Sequence, residues 1–142
     1  MAIANLHETL LCYTLRKSQI NLEISELQTQ KTLAAYKQAD TRSIKAQDEE
    51  EVRRFFKALY EEDEEYKGKY KDYTEIPDFE AEIDKITAKY QDQMDELNSW
   101  ETQLDAQITT DSAELEEINA YMESLKSMLS SNIQEDFKYG SN

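Results

Sequence analysis

Hydrophobic positions in the second half of the chain recur every three or four residues. Phe79, Ile83, Ile86, Tyr90, Leu97, Trp100 and Leu104 are followed by Ile108, Leu115, Ile118, Met122, Leu125 and Leu129. That spacing keeps one face of an α-helix apolar, and neither Gly nor Pro interrupts it, so a helical arm is predicted over 78–137. The first half has a more regular pattern. Ile3, Leu10, Lys17, Ile24 and Lys31 take the a positions of successive heptads, and Leu6, Tyr13, Ile20, Leu27 and Ala34 the d positions. An ordinary amphipathic helix in a globular bundle shares the spacing, but sustained a/d repetition favours a coiled-coil seam, in an arm predicted over 3–62.

The first arm carries a second apolar line. At about 100° per residue, Leu11, Leu15, Leu22, Leu33 and Tyr36 cluster within roughly 60° of one another, opposite the heptad seam. Burying a Leu is worth roughly 1.5–3 kcal/mol, so leucines repeated on one line point to a second neighbour. These five residues are the candidate partner-binding residues.

Three places test the continuity of the arms. Residues 37–51 hold Ile44 as their only large aliphatic side chain, and Asp48 with Glu51 resembles a helix restart; with no Gly or Pro there, a continuous helix is the expectation. A connector is predicted over 63–77, where acids from Glu61 to Glu65 would fray a helix C-terminus, Gly68 offers positive φ, and Pro77 ends one segment and starts the next. Tyr66, Tyr70 and Tyr73 in this connector are expected to fold back on Phe55 and Phe56 as a cap. In the second arm a four-residue insertion in the heptad phase precedes Asp111, and a kink near residue 110 is the rival to a continuous arm. The tail at 138–142 is expected to be disordered.

Laid antiparallel, the arms match. Phe56 faces Ile83, Phe55 faces Ile86 and Leu59 faces Phe79 near the connector, while Leu10 faces Leu129, Tyr13 faces Leu125 and Ile24 faces Leu115 at the other end. The residue numbers of all six pairs add to between 138 and 141, so one register serves both ends. It also brings Lys31 near Ile108 and Asp111. The predicted fold is therefore a single all-α domain, an elongated antiparallel coiled-coil helical hairpin, with a hairpin kinked into a three- or four-helix bundle as the alternative.

Composition supports helices and narrows the partners. Of 142 residues only Gly68, Gly140 and Pro77 are turn-forming Gly or Pro, and 33% are charged. The net charge of −15 is uneven: residues 1–47 hold four acids and six bases, which leaves −17 on the remainder. Such a surface repels phosphate backbones and anionic lipid, so neither nucleic acid nor membrane is expected as a partner. The first residues lack the basic start and apolar run of a secretory signal, which makes the cytoplasm the default, with signal-independent export as the other route.

No motif that carries chemistry survives inspection. His7 and Cys12 are the only residues of their kinds, and their spacing does not align them on one helix face, so a surface His and a half-buried Cys are expected. One His cannot supply a di-iron bundle, Glu61–Gly68 lacks the alternation of a calcium loop, and two glycines make no phosphate loop. No catalytic residue, cofactor or metal is therefore predicted. The expected function is non-enzymatic assembly, by self-association as a homo-oligomer or by binding another helical protein. The alternatives are an acidic holdase or export-type chaperone with a basic client, and a subunit of a helical filament. In size and layout the chain resembles the coiled-coil stalk proteins of flagellar and type III export machines, or a prefoldin-type chaperone without its β-hairpins. The resemblance implies architecture alone and transfers no residue.

Overall fold

In the computed structural model the chain is an all-α helical hairpin, and residues 2–140 are described, with side chains through Asp136. Helix α1 spans Ile3–Glu62, a short α2 spans Glu64–Lys69, a 3-10 turn covers Tyr73–Glu75, and α3 spans Pro77–Gly140. No strand occurs among the described residues, and no helix there is long and apolar enough to cross a membrane. The contacts group into two compact units, Met1–Lys31 with Gln103–Asn142, and Thr32–Thr102. Each contains a segment of α1 packed against a segment of α3.

In the first unit the core is mostly aliphatic, with Tyr13 stacked on Tyr121 at 5.7 Å. Ile20, at 0% exposure, packs with Ile118 and Met122, and Leu10, Tyr13, Ile24 and Leu115 close around them. Most are the a and d residues of the heptads, so the sequence period and the buried face coincide. The Arg16 guanidinium grips Glu114 with both prongs, Nε to Oε1 at 3.0 Å and a terminal nitrogen to Oε2 at 3.1 Å. This fork is the strong geometry for an Arg-carboxylate pair, and it holds the guanidinium pKa above its usual value. Lys31 Nζ lies 2.7 Å from Asp105 Oδ1. Lys31 thus finds a carboxylate on α3, Asp105, and the Asp111 charge adds to the field at Arg16.

The second unit is closed by aromatic rings and directed hydrogen bonds. Phe56, 4% exposed, meets Phe79 edge-on at 5.5 Å, and Phe79 meets Tyr73 in the same way at 5.4 Å. Phe55 does not join the seam opposite Ile86; it is 61% exposed, because consecutive helical residues cannot both face one neighbour. Gln38, buried at an a position, donates from Nε2 to Asn98 Oδ1 at 3.0 Å and to Glu101 Oε2 at 2.9 Å. The Tyr90 hydroxyl donates to Asp48. Asp48 therefore serves the seam rather than restarting a helix, and α1 passes through 37–51 without a break. The four-residue phase insertion in the second arm likewise leaves α3 unbroken.

The connector is more ordered than a fraying helix end. Asp63 caps α2, its Oδ1 accepting from the Glu65 amide at 3.0 Å, which puts Glu64 and Glu65 in a first turn and Lys67 and Lys69 in a last turn. Both placements suit the helix dipole. Gly68 lies inside α2 with no positive φ, correcting the turn expected there. Tyr60 sends its hydroxyl to the carbonyl oxygens of Tyr70 and Lys71 at 3.0 and 2.8 Å, and Asp72 caps the 3-10 turn through the Thr74 amide at 2.8 Å. Hydrogen bonds from Thr74 hold the Asp72 carboxyl below its ordinary pKa. Ile76 is extended, as a residue before proline should be, and buried. Of the three connector tyrosines, Tyr73 reaches the Phe56–Phe79 cluster, whereas Tyr66 and Tyr70 pair with each other at 5.8 Å. The tail expected at 138–142 falls partly outside the described residues; the α3 backbone continues to Gly140.

Candidate interaction surface

The outward side of α1 is built by default: once the heptad face is buried on α3, the residues half a turn away have no neighbour. In the first unit these are Leu11, Leu15 and Leu22, the last 62% exposed. In the second unit they are Leu33 and Tyr36, the latter 70% exposed, joined by Ile44; Phe55 is exposed too, but about 100° round the helix from buried Phe56. All five residues singled out from the sequence are exposed, and Ile44 and Phe55 are additions that sequence reasoning missed. A signal for them existed. Leu11, Leu22, Leu33, Ile44 and Phe55 are each eleven residues apart, which is three helical turns, so the outward residues follow a period of eleven while the seam follows seven.

Cys12 is exposed rather than half-buried. His7 is also exposed, and five residues separate the two. Among the described residues no three His, Cys, Asp or Glu side chains converge as a metal ion would require. Lys37 Nζ sits 5.7 Å from the Trp100 ring centre, a cation-π contact between α1 and α3 in the second unit.

A groove of about 530 Å³ opens in the second unit. Val52, Phe56 and Ile86 line it with the exposed ring of Phe55, and the carboxylates of Asp48, Glu51, Asp78 and Glu82 stand around them. Asp48 accepts from Tyr90, and Glu82 lies 3.2 Å from Lys85. Neither Glu51 nor Asp78 pairs with a base among the described residues.

No protein-family model, curated protein or solved structure matches this chain.

Proposed function

We propose that the protein is a non-enzymatic assembly protein whose outward apolar side chains on α1 receive another helix, supplied by a second copy or by a helical partner. The supporting observation is that Leu11, Leu15, Leu22, Leu33 and Tyr36 are all exposed on a helix whose opposite face is already buried. Leaving so many large apolar side chains in water forgoes roughly 1.5–3 kcal/mol for each leucine that a partner would bury. Knobs of this kind, presented at helical intervals, are the means by which one helix recognises another.

Light scattering across a concentration series tests the reading. Wild-type protein is expected to exceed the 16.7 kDa of one chain, and Leu15→Glu with Leu22→Glu to return it to that mass with its helical circular dichroism intact. If the wild type is monomeric and captures no helical partner, or if the double variant assembles as the wild type does, the proposal fails.

A further inference from the structure

The groove in the second unit has a composition that the helix-pairing role does not explain. Its floor is apolar and aromatic, its rim is made of four carboxylates, and no basic side chain lines it. An apolar helix laid there would leave the rim facing hydrocarbon, and a small hydrated cation would leave Val52, Phe55 and Ile86 uncovered. Only a ligand that carries cationic and apolar surface together satisfies both parts.

We propose that this groove binds a basic amphipathic helix of a partner protein, which lays an Arg or Lys stem along Val52 and Phe55 and sets its charged head against Glu51 and Asp78. Charge complementarity selects the occupant. Among the described residues neither Glu51 nor Asp78 pairs with a base, and Phe55 is 61% exposed, which leaves its ring open to a cation. The arginine fork suits two carboxylates better than an ammonium does, so Arg is the preferred residue. The groove is open along its length, so a side chain can lie in it without the helix that carries it being enclosed. An Arg and a Leu one helical turn apart on the partner would meet rim and floor at once.

The test is calorimetric titration of the full chain with an acetylated, amidated helical peptide bearing Arg and Leu at four-residue spacing. One peptide should bind per chain. The dissociation constant should rise tenfold or more in Phe55→Ala, and likewise in Glu51→Gln with Asp78→Asn, while Glu61→Gln with Glu62→Gln changes it less than twofold. A peptide with citrulline for Arg, equal in shape and lacking the charge, should bind at least tenfold more weakly. Four results would overturn the proposal: no saturable binding, equal losses from both pairs of neutralised carboxylates, no effect of Phe55→Ala, or a wild-type oligomer that Phe55→Ala dissociates while the peptide fails to bind. The last would mean that a second copy fills the groove. Phe55 is exposed, so its loss should leave the fold intact, and the carboxylate pair gives an independent readout.

Discussion

The two compact units join the same two long helices by different chemistry. Around Ile20, Ile118 and Met122 the contacts are mostly aliphatic, with Tyr13 stacked on Tyr121 beside them, and the polar groups that help, Arg16 with Glu114 and Lys31 with Asp105, are half exposed. Around Phe56 the seam uses ring edges, and further along it uses the amide of Gln38 and the hydroxyl of Tyr90. Hydrocarbon packing rewards area and tolerates a shift of register by a turn, whereas a buried donor left without its acceptor is costly. Both units therefore supply attraction, and the buried hydrogen bonds of Gln38 and Tyr90 add to the second a further constraint on which residue meets which.

Substitutions should separate these contributions. Phe56→Ala removes a nearly fully buried ring that contacts Phe55 and Phe79, and should cost about 3–5 kcal/mol in urea unfolding. Ile20→Ala should cost about 2–5 kcal/mol by the same measurement, since the site is completely buried. Gln38→Ala should cost less, about 1–3 kcal/mol, and should also broaden the amide resonances near Asn98 as the register loosens. Equal costs for Gln38→Ala and Ile20→Ala, with sharp resonances throughout, would erase the distinction between the units.

The smallest effect is in pH dependence. The hydrogen bond to Asp48 raises the Tyr90 phenol above its ordinary pKa, with burial adding in the same direction. Because the folded value is the higher one, this contribution to stability is complete below the unfolded tyrosine pKa and disappears as pH rises through the folded value. Tyr121, hydrogen-bonded to Glu117, is raised as well, so absorbance titration in a Tyr121→Phe background should show a late-ionising tyrosine that is missing once Tyr90→Phe is added and titrates earlier in Asp48→Asn. A curve that Asp48→Asn leaves unchanged would remove Asp48 as the cause.

Much of the fold was legible because heptads report burial directly. Leu6, Ile20 and Ala34 at d positions are fully buried, and Ile20 meets Ile118 close to the expected register. Residues 37–51 were hard to read for a physical reason: the seam there is polar, with Gln38 and Asp48 satisfied by side chains on α3, and hydropathy alone does not show such pairing. Helix α2 was hidden in its own charges. Glu61 to Glu65 look like an unfavourable helix end until Asp63 is recognised as a cap that divides them between two helices. Of the candidate surface, Leu11 to Tyr36 followed from helical phase, whereas Ile44 and Phe55 emerge only on a period of eleven, and the carboxylate-rimmed groove needed the fold to gather residues from two distant segments.

The central claim is that the front segment of the chain packs antiparallel on its own rear segment within one molecule. Spin labels at Thr14 and Lys126, both exposed in the first unit, in a Cys12→Ser background, measure this directly by pulsed dipolar spectroscopy. Packed helices have axes about 8–10 Å apart, so a short distance is predicted, and it should persist when labelled protein is diluted into unlabelled protein. A separation of tens of ångströms, or a short distance that vanishes on dilution, would contradict the account.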